Sequence, residues 1–267
     1  MAGAVIAPLV APLVALALAG QQAAGDARLD IVSRSALAGT LTREAEAGDG
    51  RAMLGLAELM AAEAGDPQAL IDLLRRAGES GQPCALLRAA RIARDIRPDP
   101  VAVQMDMDRA ITLGCVEARY ELALWLLQQN RDGARAQALL AAAAASGDER
   151  ALIYLARALL AGRGIAEADD AAALYRRAAI AGSAPAQGAL ARLLMARHAQ
   201  TGKAALVREA WYWSLIVAAR GGEAAGAQAR SIGQAARHML SASQLRQVGI
   251  AATRYRPGTF TLPARGE

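Results

Sequence analysis

Six glycines divide this chain into lengths that almost repeat. Each is followed four residues later by alanine: Gly48/Ala52, Gly81/Ala85, Gly114/Ala118, Gly147/Ala151, Gly182/Ala186 and Gly221/Ala225. The steps between successive glycines are 33, 33, 33, 35 and 39 residues. A period of this length marks a stack of similar supersecondary units, not a chain wrapped around one closed core. The residues are 54% hydrophobic but only 3% aromatic, so Ala and Leu must supply most of the packing. That suits closely spaced helices, and Ala is the strongest helix former. The expected class is all-α: a right-handed α/α solenoid of about six helix-turn-helix repeats.

The fourth unit shows the plan. Ala151, Leu155, Ala158 and Leu159 stand at i, i+4, i+7 and i+8, one stripe of an amphipathic helix. Gly162 and Gly164 end it, and Asp169 or Asp170 caps a second helix carrying Ala172, Leu174, Tyr175, Ala178 and Ala179 up to Gly182. In the first unit Met53–Glu63 reads as the first helix. Asp66-Pro67, and Asp99-Pro100 in the next unit, give a cap followed by proline at the first helical position. The long last interval places extra residues in a loop at His198–Lys203. Residues 232–250 are expected to form terminal capping helices with Ser243 as an N-cap, and 254–267 an extended tail. Counted from each glycine, offset four is always Ala, offset nine is Ala in five units, and offset eight is Leu in four. Small residues let helices approach, and Leu fills the space between them.

This pattern resembles the Sel1-like repeat family, relatives of the tetratricopeptide repeats. The resemblance rests on Leu155-Ala156, Gly164-Ile165, Ala171, Leu174-Tyr175, Ala178-Ala179 and Gly182, with Trp211-Tyr212-Trp213 through Gly221 similar to a closing repeat. It covers about residues 40–250 and weakens in the second and third units, which lack the Gly-x-Gly loop. It implies a protein-binding adaptor or regulator, often of the bacterial envelope. It also implies that offsets three, six, ten and thirteen line a concave groove. Those offsets bring forward Arg91, Arg94, Tyr120, Arg150, Arg157 and Arg192 as partner-binding residues. Arginine pairs with carboxylates through two hydrogen bonds, so the groove suits a protein or acidic peptide, or alternatively an anionic polysaccharide or peptidoglycan.

Residues 1–20 contain no charged side chain and end in Ala17-Leu18-Ala19, a small-x-small pattern. They read as a secretory signal peptide, with a membrane anchor as the alternative. Pro8 and Pro12 weigh against a continuous spanning helix. The expected location is therefore periplasmic or secreted, with inner-membrane anchoring the alternative, and the solenoid occupies 21–253. A cytoplasmic scaffold is the third reading, should residues 1–19 be retained. Cys84 and Cys115 are 31 residues apart, no metal spacing. Equivalent positions in stacked helices lie about 10 Å apart, too far for a disulfide. Two buried or half-buried free thiols are the first expectation; a bridge requires the loop before Cys115 to lean back.

The net charge of +5 is modest and forms no basic block, so nucleic acid is not an expected partner. The two histidines, His198 and His238, have no nucleophile motif beside them, and neither a Gly-x-Ser-x-Gly nor a His-Glu-x-x-His sequence occurs. Gly162-Arg-Gly164 lacks a phosphate-loop lysine and reads as a turn. Trp211 and Trp213 read as filling beneath the last repeat. No enzymatic activity, cofactor or metal is expected.

Overall fold

Five of the six glycines share one backbone device. Gly48, Gly81, Gly114, Gly147 and Gly182 have φ between 88° and 112°, a region open to glycine and strained for other residues. In each case the next residue donates its N–H to a carbonyl five positions back: Asp49 to Glu44, Gln82 to Ala77, Cys115 to Ala110, Asp148 to Ala143 and Ser183 to Ala178. This is a Schellman ending, which satisfies carbonyls that a helix terminus leaves open. Three of those next residues also start the following helix. Asp49 accepts from the amides of Arg51 and Ala52, Asp148 from those of Arg150 and Ala151, and Ser183 from that of Ala186.

The computed structural model describes residues 36–63, 65–96, 99–161, 165–260 and 262. The expected leader and the Gly162-Arg-Gly164 turn lie outside them. The chain divides into two units, Met1–Cys115 and Val116–Glu267. In the first, α1 is helical over 36–46. It is followed by α2 (Gly50–Ala62), α3 (Pro67–Glu79), α4 (Cys84–Ile96) and α5 (Pro100–Thr112), and α2 to α5 pack consecutively. The second holds α6 (Glu117–Gln128), α7 (Gly133–Ala145), α8 (Glu149–Ala161), α9 (Ile165–Ala181), α10 (Ala184–Thr201), α11 (Ala204–Arg220), α12 (Glu223–Arg237) and α13 (Ala242–Thr253). Asp66-Pro67 and Asp99-Pro100 start α3 and α5 as expected. The fold is an all-α repeat of paired helices, and the described residues contain no strand.

The core follows the glycine register through five repeats. Ala52, Ala85, Ala118, Ala151 and Ala186 at offset four, and Ala57, Ala90, Ala123, Ala156 and Ala191 at offset nine, are all buried. The sixth position departs from it. Gly221 has φ −73°, and Ala225 is exposed. Here α12 packs on α10 and α11, while α13 packs on α11, so the last two helices do not form the hairpin of the earlier repeats.

Several local expectations are corrected. The buried residues of α8 are Ala151, Leu152 and Ala156, while Ala158 is exposed, so the apolar stripe is rotated. Asp169 and Asp170 do not cap a helix: α9 already starts at Ile165. Asp169 instead pairs with the buried guanidinium of Arg197. The long last interval is not a loop at 198–203. It goes into longer helices, 18 residues in α10 and 17 in α11 against 13 in most earlier ones, and only Gly202 and Lys203 separate them. Ser241, not Ser243, caps α13, through a capping box with Gln244. Residues 254–260 do not run as an extended tail: they turn at 257–258 and are docked. The Tyr255 hydroxyl donates to Ala179 O at 2.9 Å and accepts from Gln187 Nε2 at 3.0 Å, and Gly258 N–H donates to Ile180 O at 2.6 Å.

The cysteines are bridged. Cys84 and Cys115 form a disulfide with their Cα atoms 5.1 Å apart. The distance argument fails because it compared stacked units. Cys84 opens α4 and Cys115 follows α5, the antiparallel partner of α4, so both stand at the mouth of one helical hairpin.

Candidate partner-binding surface

The six arginine and tyrosine positions fall into three pairs. In the first unit Arg91 and Arg94 lie half-buried on α4, and Arg94 Nε reaches its neighbour Asp95 at 3.3 Å. Glu58, at the register position of Arg91 one repeat earlier, pairs with Arg88 at 3.4 Å. The stripe therefore carries both signs of charge in this unit.

In the second unit, Tyr120 and Arg150 are brought together. The Arg150 guanidinium lies over the Tyr120 ring, 4.6 Å from its centroid. It also donates to Glu121 at 2.9 Å and to both carboxylate oxygens of Asp148, at 3.3 and 2.9 Å. These contacts raise the Arg150 pKa, the Asp148 bond foremost, against the opposing effect of burial. Burial pushes the Asp148 carboxyl up, but Arg150 and the amides of Ala151 and Arg150 together hold it below its usual value. Burial raises the Tyr120 phenol, with Arg150 opposing. Arg150 thus joins α6 to the start of α8 and has little left to offer a ligand.

Arg157 and Arg192 differ. Both are exposed, and both sit ten residues after a helix-ending glycine, on α8 and α10. Arg157 makes no ion pair among the described residues. Arg192 Nη1 donates to Gln228 Oε1 at 2.7 Å, a neutral partner that leaves its charge unbalanced. Chemically, this pair of guanidiniums is the part of the expected stripe that is available for a carboxylate.

Sequence reasoning missed another set of arginines. Arg75-Arg76 on α3 and Arg176-Arg177 on α9 precede Gly81 and Gly182 by six and five residues. The first of each pair reaches forward, Arg75 to Asp106 on α5 at 2.8 Å and Arg176 to Glu209 on α11 at 2.7 Å. The second reaches back to a main-chain oxygen, Arg76 to Ala45 and Arg177 to Ala144. The repeated Arg-Arg dipeptide at a fixed offset was the available signal. Glu209 also accepts from the Trp213 indole at 3.3 Å. Trp213 is fully buried, as expected for a residue filling the core, and stacks on Phe260 with centroids 5.5 Å apart. Trp211 is only half-buried and borders a groove against α12.

His198 Nδ1 lies 3.2 Å from Lys203 O and His238 ends α12 on the surface. Among the described residues, neither forms a hydrogen bond with a hydroxyl or thiol side chain. No described helix is long and apolar enough to cross a membrane.

No protein-family profile matches the chain, and no curated protein does. Among solved structures it is similar to c5321, a protective antigen present in uropathogenic Escherichia coli strains displaying an SLR fold. The identity is 21% and the TM-score 0.60, over 80% of this chain and 47% of that one. It is also similar to a Sel1 repeat protein from Oxalobacter formigenes, with 22% identity and a TM-score of 0.49 over 58% of this chain and 65% of that one. The immunity protein Pa5087 from Pseudomonas aeruginosa matches at 16% identity and a TM-score of 0.40, over 82% of this chain and 76% of that one. The chain spans about half the length of the E. coli antigen.

Proposed function

With the Sel1-like repeat fold as its frame, we propose that this protein is a non-catalytic adaptor or regulator of the bacterial envelope. In this reading it binds an acidic stretch of a partner protein through Arg157 and Arg192. The observation that carries the reading is their shared register. Two exposed guanidiniums recur at the same position of successive repeats, while Arg150 and Tyr120 are engaged internally. A preformed helical scaffold presents them with little ordering left to do on binding.

The Cys84–Cys115 bridge supports an exported location, because disulfides persist in oxidising compartments and are rare in the cytosol. A mature chain that starts near Gly20 by N-terminal mass is the expected result; an intact Met1 would leave inner-membrane anchoring or a cytoplasmic scaffold.

The test of binding is in-cell crosslinking followed by capture from fractionated envelope, with Arg157→Glu and Arg192→Glu combined. Loss of the crosslinked partner by about tenfold or more is expected, the scale on which an attractive charge pair turned repulsive weakens binding. An unchanged partner profile in the double variant removes the reading.

A further inference from the structure

The last repeat leaves a groove open. In the five earlier repeats, offset nine is an alanine that is at most 1% exposed. In the sixth the same position is Arg230, and it is exposed. The described buried stripe of α12 holds only glycine and alanine, at Gly226, Ala229, Gly233 and Ala236. The reason is the missing hairpin: α13 packs on α11 and does not lie back along α12.

Beside the uncovered edge lies a cavity of about 180 Å³ between α11 and α12. Trp211, Leu215 and Ala218 line one wall, and Arg230, Gln234 and Arg237 rim the other. Gly233 sets the spacing, since a Cβ there would stand 3.0 Å from both Trp211 Cζ3 and Ser214 Oγ. The cavity is too small for a drug-sized ligand, which needs roughly 300 Å³ or more. It fits one large apolar side chain.

Charge indicates what carries that side chain. Residues 204–260 contain seven arginines and two carboxylates, a surplus of five that equals the formal net charge of the whole chain, +5. One of the two carboxylates, Glu209, is already engaged by Arg176. Arg230 and Arg237 make no ion pair among the described residues. Seven residues along one helix, they stand about 10 Å apart, which an extended peptide covers in about three residues.

We propose that the α11–α12 groove docks an extended acidic peptide, with one large apolar side chain seated against Trp211 and Leu215 and flanking carboxylates paired to Arg230 and Arg237. The peptide nature of the occupant rests on the adaptor reading above; neither Arg157 nor Arg192 lines the groove itself.

The test uses the full mature protein and twenty blocked pentapeptides, EEXEE, in which X is each amino acid. Binding is followed by heteronuclear NMR at the Trp211 indole signal, assigned with Trp211→Phe. Saturable binding is expected for X = Leu, Phe or Met, falling at least about tenfold for X = Ala, the scale of an apolar side chain left in water. The exposed double variant R230E/R237E should lose binding at least about tenfold, and R157E, which leaves the Arg192–Gln228 bond to α12 in place, should retain it. Absence of saturable binding for every X, indifference to X, or unchanged affinity in R230E/R237E would each overturn the proposal. If the pentapeptides fail while R157E/R192E still abolishes partner capture, only this site is refuted. The opposite pattern refutes only the adaptor site.

Discussion

The two units are fastened differently. In the first, the α4–α5 hairpin is closed by a covalent bond between Cys84 and Cys115. In the second, the chain end folds back to form a cluster of rings: Tyr212, Trp213, Tyr255 and Phe260, with centroids 4.9–6.4 Å apart. Neither device belongs to the repeat. Alanine and leucine give each repeat its spacing, but they bury modest area per residue. In a chain that is 3% aromatic, the large side chains are concentrated where the stack stops. The contrast teaches that a repeat register positions helices, while singular residues pin them.

The aromatic fastening should be the more sensitive. Trp213→Ala is expected to cost about 3–5 kcal/mol, the range for deleting a buried aromatic ring, and it also strips Glu209 of a hydrogen bond. Hydrogen exchange followed by mass spectrometry should show early opening of α9–α11 with α2–α5 unchanged. Equal loosening of both units would show that the fastenings are not local.

Removing the disulfide by Cys84→Ser with Cys115→Ser comes next. A loop of 31 residues corresponds to about 3–4 kcal/mol in the chain-entropy description. The expected signature is faster exchange at the start of α4 and the end of α5, with the ring cluster unaffected. A loss below about 1 kcal/mol in denaturant titration would rank the bridge as a minor contributor.

The smallest effect refines the aromatic side. The Tyr212 hydroxyl is buried with no hydrogen-bond partner among the described residues, and burial, with a contribution from Tyr255 and opposition from Arg220, pushes its pKa up to about 12 from 10.0. A raised pKa means the folded state favours the protonated phenol. That contribution is whole below pH 10 and is lost as the pH rises towards about 12. Thermal melts should therefore decline over this window, and Tyr212→Phe should lessen the decline while changing neutral-pH stability by no more than about 1 kcal/mol. An unchanged alkaline profile in the variant would assign the decline to other groups.

Most of the fold was legible because a helix-ending glycine and a close-packed alanine are demanded by local geometry. Gly48 to Gly182 and their offset residues report that geometry directly. What the register could not convey was how its last member differs. Gly221 and Ala225 satisfy the spacing, yet α12 lacks a returning partner, and only coordinates reveal an unpaired edge. Contacts far apart in sequence were hidden for a similar reason: Tyr255 reaches Ala179 across 76 positions, with no periodic signal to announce it. In the candidate surface, Arg157 and Arg192 are both exposed, each at the tenth position after its glycine. Register could not reveal that Asp148 and Glu121 hold Arg150, because it describes one helix at a time. The bridge was misjudged for the same reason, since the antiparallel return of α5 brings Cys115 to Cys84.

Arg76 and Arg177 bind main-chain oxygens, those of Ala45 and Ala144. Such an acceptor is present whatever residue occupies the position. The bond therefore gauges where the neighbouring helix ends and is blind to its composition. Substitutions can accumulate along that neighbour without disturbing the gauge, whereas gaining or losing a single residue would move the oxygen out of reach. In each half of the protein this makes helix length a more tightly guarded property than side-chain identity.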